Sequence, residues 1–174
     1  MPVRSARGFT LVELLVVIVI IGVLTSGAII AFGTGKSDTQ LENERDRLSA
    51  IIDYVRERGE LQTVEYGLYC TKTGYQVVRY NPRQSLWMKD PNDDLLKPRT
   101  LPAGLGLQIV IEGRAIVLDA KAKPELTPQV LLYSNGDTNS FSLTMLRAAT
   151  GQQFTIQSGD DGMLTVGKLM QRPT

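Results

Sequence analysis

Hydrophobic and polar positions fall into three regimes along the chain. In the first, Leu14 to Phe32 reads LLVVIVIIGVLTSGAIIAF, and no charge follows Glu13 until Lys36. As a helix rising about 1.5 Å per residue, these 19 residues cover about 28 Å, close to a hydrocarbon core of about 30 Å. An isolated segment in lipid must satisfy its backbone internally, so the run is predicted to be a helix. In the second regime, Leu41, Leu48, Ile51, Ile52 and Val55 fall at spacings of 7, 3, 1 and 3, which keeps them on one helical face. The residues between them are largely charged. No proline lies between Phe9 and Gly59, and Gly59 is the predicted stop of this helix. Gly33 and Gly35 are expected to loosen it where it leaves the lipid.

The third regime begins at Leu61. From Thr63 to Thr71 the pattern alternates, with Val64, Tyr66, Leu68 and Cys70 on one face. A turn at Lys72-Thr73-Gly74 leads to a strand at Tyr75 to Tyr80, and Asn81-Pro82-Arg83-Gln84 precedes Leu86-Trp87-Met88. Residues 89–104 and 119–128 read as surface loops. Three hairpins are predicted, around Glu112-Gly113-Arg114, Asn135-Gly136-Asp137-Thr138 and Gly159-Asp160-Asp161-Gly162. The expected fold class is α+β, a long N-terminal helix packed on an antiparallel β-sandwich. The expected division is 1–8 leader, 9–35 membrane or filament-core helix, 36–60 amphipathic helix, and 61–174 β-rich domain.

Charge then orients the chain. Arg4 and Arg7 precede the apolar run, whereas mixed charge follows it. The positive-inside bias places the N-terminus in the cytoplasm and the rest across the membrane in a single pass. A secretory signal peptide would also begin with basic residues, but this run is longer than a signal core, and Glu13 sits at its start. A carboxylate inside a membrane helix costs roughly 2.5–3.5 kcal/mol at the centre and less near the interface. Glu13 is therefore expected to have a functional partner.

The residues Arg7-Gly8-Phe9-Thr10-Leu11-Val12-Glu13 ahead of an apolar helix resemble the type III signal of type IV pilins and type II secretion pseudopilins. The resemblance implies cleavage after Gly8 by a prepilin peptidase, N-methylation of Phe9, and an assembly role for Glu13. Glu13 would meet the Phe9 amine of a neighbouring subunit, relieving two poorly solvated charges and fixing axial register. Three further segments narrow the likeness: Leu101-Pro102-Ala103-Gly104-Leu105, Pro128-Gln129-Val130-Leu131-Leu132, and Asn135-Gly136-Asp137-Thr138-Asn139-Ser140-Phe141-Ser142-Leu143. With Gly74-Tyr75 and Trp87, they resemble the H-type minor pseudopilin of type II secretion. That family implies a subunit at or near the tip of the inner-membrane-based, periplasmic pseudopilus, supporting export of folded proteins. Expected partners are other pseudopilins, major and minor and especially tip subunits, together with the prepilin peptidase and the inner membrane. The alternative is a minor pilin of a type IV pilus or DNA-uptake system.

Composition bears on what else the chain could do. Net charge is +1, which supplies no global basic field, and no nucleic acid partner is expected. The chain has no histidine and a single cysteine, Cys70. The commonest general base is missing, and neither a Cys–His nucleophile pair nor an intrachain disulfide can form. Gly35-Lys36-Ser37 ends like a phosphate-binding loop, but Ile30 stands where that motif needs glycine. Gly104-Leu105-Gly106 is an incomplete glycine pattern. Asn92-Asp93-Asp94 and Asp160-Asp161 supply too few oxygens for calcium by themselves, and solvated turns account for them. No enzymatic activity, catalytic residue, metal or cofactor is expected.

Overall fold

A single helix, α1, runs from Leu11 to Gln62. The computed structural model describes residues 11–90, 93–159 and 163–171, and for 22–38 it describes the backbone alone. It divides into two compact units, Met1–Thr39 and Gln40–Thr174. In the second unit the apolar stripe behaves as its spacing requires. Leu41, Leu48, Ile51, Ile52 and Val55 are all buried, while Glu42, Asp46, Asp53 and Glu57 face solvent.

α1 does not stop at Gly59. It continues to Gln62 and ends because Thr63 takes a left-handed conformation, φ 54°. The Val64 amide donates back to the Gly59 carbonyl at 3.0 Å, closing the last turn. A non-glycine residue there costs about 1–2 kcal/mol of backbone strain. No basic residue lies in the true last turn.

Eleven strands form among the described residues, in two antiparallel sheets. The first sheet has the order β3 (Leu86–Met88), β2 (Gly74–Asn81), β1 (Tyr66–Thr71), β7 (Val130–Leu132), with β4 (Arg99–Thr100) also paired to β2. The second has the order β10 (Leu164–Val166), β9 (Gln152–Ser158), β8 (Phe141–Arg147), β5 (Leu105–Ile111), β6 (Arg114–Ile116), with β11 (Met170–Gln171) added to β9. One core joins them: the helix stripe, Tyr66, Leu68, Cys70, Tyr75 and Val77 from the first sheet, and Leu107, Ile109, Leu143, Met145, Phe154 and Ile156 from the second. Burying this apolar surface is the main force holding helix and sheets together.

The hairpin at Glu112-Gly113 forms as expected. Both residues have positive φ, 49° and 74°, the twist that a two-residue connection needs. β9 and β10 also pair, with Leu164 opposite Ser158, although residues 160–162 between them lie outside the described residues. The Asn135-Gly136 signal has a different outcome. Its turn exists, closed by Tyr133 N to Asp137 O at 2.9 Å and by an isolated bridge between Leu132 and Thr138. The strands it separates nevertheless enter different sheets: β7 pairs with β1, and β8 with β5 and β9. The Asn139 side chain makes the crossing possible. It accepts from Leu131 N at 2.8 Å and donates to Gln129 O at 2.9 Å, taking the place of a neighbouring strand.

The two segments read as surface loops are both tied down. Residues 89–104 contain a 3₁₀ turn, Asp94–Leu96, and the strand β4, with Leu96 and Leu101 buried. Residues 119–128 have no regular structure but lie over the outer face of the first sheet. Leu126 packs there with Tyr69, Val78 and Trp87, and Lys123 N donates to Tyr69 Oη at 3.1 Å. Gly67 lets this strap approach, because a Cβ there would run into the Pro128 ring. Apolar side chains decide the outcome: a polar-looking segment carrying a leucine at the right place contributes to the core.

Candidate functional site

Gly8 and Phe9 lie outside the described residues. Glu13 stands in the first turn of α1, where the helix dipole favours a carboxylate. From Leu11 to Ile21 every apolar side chain is exposed, ranging from 44% at Val17 to 79% at Leu11. These residues occupy all sides of the helix, so the surface has no polar face to offer water. Such a surface needs cover. Among the described residues, no helix is long and apolar enough to cross a membrane. The run continues through residues 22–32, whose side chains lie outside the described set.

In the second unit, charge pairs hold the segment 89–100 against α1. Arg58 is the hub. Its guanidinium pairs with Asp93 and, at 3.2 Å, with Asp90, whose side chain is 7% exposed. It also lies 6.0 Å from the Tyr54 ring centre and 5.9 Å from that of Tyr66. Tyr54 Oη donates to Asp93 Oδ2 at 2.8 Å, and this bond holds the phenol above its ordinary pKa. Further along the segment, Arg99 pairs with Glu44, whose side chain is 5% exposed.

This arrangement changes the reading of residues 89–104 as a solvated surface loop. Asp90 and Asp93 are held by an internal cation, and Asp94 pairs with Lys97 at 2.7 Å. Among the described residues, no group of three or more acidic or cysteine side chains could hold a metal ion. Asn92, Asp160 and Asp161 lie outside those residues. Sequence reasoning missed Arg58 and the Glu44–Arg99 pair. A signal for the pair existed: Glu44 falls three residues after Leu41 and four before Leu48, in phase with the buried stripe. A carboxylate in that phase requires a cation.

The residues that carried the family resemblance have structural roles. Gln129 Oε1 accepts from Cys70 N at 2.7 Å, extending the ladder just ahead of the start of β7. Asn139 secures the other edge of β7, and Pro128 fills the space over Gly67.

Residues 3–29 match the prokaryotic N-terminal methylation motif. The fold is similar to that of the minor pseudopilin EpsH from the Type 2 Secretion System of Vibrio cholerae, with TM-score 0.64 and 17% identity over 77% of this chain and 97% of that one. A methylation-type N-terminus on a long helix that packs with two antiparallel sheets is the architecture of a pseudopilin. In sequence, the chain is 32% identical to Type II secretion system protein H of Pseudomonas aeruginosa, over 89% of this chain and 92% of the relative. It is 25% identical to Type II secretion system protein H of Aeromonas hydrophila, over 90% and 91%. The chain belongs to the type II secretion system protein H family, the H-type minor pseudopilins.

Proposed function

We propose that this chain enters a pseudopilus at or near its tip, where it supports export of folded proteins across the outer membrane. Residues 1–8 are removed by a prepilin peptidase and Phe9 becomes the methylated N-terminus. The first part of α1 holds the chain in the inner membrane in a single pass, with the N-terminus cytoplasmic, and later packs in the filament. Residues 36–60 continue the helix, and 61–174 form the periplasmic domain. The observation that carries this reading is the sleeve of exposed apolar side chains from Leu11 to Ile21, with one carboxylate, Glu13, in its first turn. Other apolar helices in a filament core, or lipid before assembly, would cover that sleeve. The Phe9 amine of a neighbour would meet Glu13.

Two variants test it. Intact-mass measurement of membrane-extracted protein is expected to find a chain beginning at Phe9 with one added methyl group. Gly8→Ala is expected to retain the leader, because a close approach to a peptidase favours a residue without a side chain. A mature chain beginning elsewhere overturns the processing. Glu13→Leu is expected to insert normally, since an apolar residue is cheaper in lipid. Its cross-linking to other pseudopilins is expected to fall by about tenfold or more, the scale of a lost charge pair. Wild-type cross-linking in Glu13→Leu removes the pairing role.

A further inference from the structure

A cleft of about 390 Å³ opens on the first sheet where β1, β2 and β4 meet residues 120–122. Its chemistry is one-sided. Among the described residues, hydrogen-bond donors line it and no carboxylate does. Arg99 lies at one wall, its guanidinium already engaged by Glu44, and exposed Lys121 lies at the rim. Tyr69 Oη accepts from Lys123 N, which leaves its own hydrogen for another acceptor. Gln76 also lines the cleft. It is 4% exposed, and its Nε2 has no hydrogen-bond partner. Its neighbours in β2, Tyr75, Val77 and Val78, are buried hydrophobes. A leucine would fit that setting better, because a buried amide donor left unpaired costs a fold stability. An amide kept there at a cost, in a donor-lined and acid-free cleft, matches a ligand that brings an acceptor with negative charge.

We propose that this cleft receives an aspartate or glutamate side chain from a polypeptide segment of a neighbouring subunit. Lys121 supplies the ion pair at the rim, and Gln76 and Tyr69 orient the carboxylate inside. The proposal rests on the reading that this chain assembles with sister pseudopilins, and it names the contact made by the domain rather than by the membrane helix.

The test uses the full-length chain in membranes that hold its sister subunits. A carbodiimide couples an ammonium to a carboxylate, with loss of water, only where the two already touch. The expected product joins Lys121 to an acidic residue of another pseudopilin, located by mass spectrometry. Lys121→Arg is expected to abolish the coupling while co-purification of the sister subunit persists. Lys121→Glu is expected to lower co-purification about tenfold by placing like charges together. Gln76→Leu is expected to lower it several-fold while raising the melting temperature of the chain. A lowered melting temperature would show that the amide serves the fold, and it overturns the site. Wild-type co-purification in both Lys121→Glu and Gln76→Leu overturns it too, while leaving the assembly reading intact. A wild-type chain that captures no sister subunit overturns the assembly reading and the cleft with it.

Discussion

In the first sheet, the central strand β1 is buried along its whole length, on both faces. In the second, the central strand β8 alternates strictly between buried and half-buried positions. β8 carries its half of this difference in its sequence, FSLTMLR, with serine and threonine at alternate positions. β1 does not: the alternation over Thr63 to Thr71 predicts one buried face, and the structure buries both. The second face is buried by a cover that lies elsewhere in the chain. The outer face of the first sheet is closed by Leu126 from an irregular strap and by Trp87, around Tyr69 and Val78. The outer face of the second is left polar, with Thr144 and Thr155 bonded hydroxyl to hydroxyl at 2.9 Å. One sheet is therefore a middle layer and the other an outer wall. Material that covers the middle layer should matter less than the shared core, and measurably more than solvent-facing residues.

The sharpest break in that ranking comes from paired truncations. Phe154 is 1% exposed in the core shared by helix and sheets. Phe154→Ala is expected to destabilise the chain by about 3–5 kcal/mol through lost burial and the remaining cavity. Leu126, 9% exposed in the small outer cluster, can collapse more readily, and Leu126→Ala is expected to cost about 2 kcal/mol, the lower end for leucine truncations. Urea denaturation of the detergent-extracted chain measures both. Equal losses would mean that the strap is as much core as the sheet interface is.

Alkali supplies the next perturbation, and of the two sheets it acts on the first. Burial pushes the Cys70 thiol from its ordinary value of 9.0 up to about 12. Burial, aided by nearby Glu44, pushes the Tyr75 phenol from 10.0 up to about 12. Both residues belong to the first sheet, and the strands of the second contain neither cysteine nor tyrosine. When unfolded, these groups lose their protons at their ordinary values, while the folded chain keeps them. Stability is then complete below about pH 9 and declines towards pH 12. Melting temperatures at pH 8 and 11 are expected to show the fall, and Cys70→Ala to flatten its first part. A decline that Cys70→Ala leaves unchanged would remove the thiol from this account.

Much of the architecture was legible because it is written in local period. The helix stripe from Leu41 to Val55, the alternation in β8 and the Glu112-Gly113 turn each follow from spacing over a few residues. The failures share a cause, which is that contacts distant in sequence overrode a local signal. Gly59 carries a stop signal, but α1 continues through Glu60, Leu61 and Gln62 and ends at the left-handed Thr63, a strain that tertiary packing offsets. The Asn135-Gly136 turn forms, yet pairing beyond it is decided by Gln129 and Asn139, whose side chains replace strand neighbours. The segments 89–104 and 119–128 look polar, and Leu96, Leu101 and Leu126 find cover only once the sheet exists. At the candidate site, Glu13 and the apolar sleeve could be read from the sequence because a charge beside a membrane-length run stands out. Gln76 could not, because an amide within a strand carries no signal until its surroundings are known to be dry.

The smallest expected effect concerns the segment 89–100, whose attachment to α1 is ionic rather than apolar at its first end. Arg58→Ala removes the guanidinium that Asp90 and Asp93 share. A fully buried pair broken in this way loses about 3–5 kcal/mol. Arg58 retains 22% side-chain exposure, and water can reach the carboxylates once it is gone, so the expected loss is about 1–2 kcal/mol. The other end of the segment remains fixed by Arg99 to Glu44 and by β4 on β2. The variant is therefore expected to keep its fold and open locally, with faster tryptic cleavage after Lys89 and little change at Lys168. Uniformly faster cleavage at both sites would mean that Arg58 supports the whole domain, and the segment 89–100 would then belong with the core rather than with its cover.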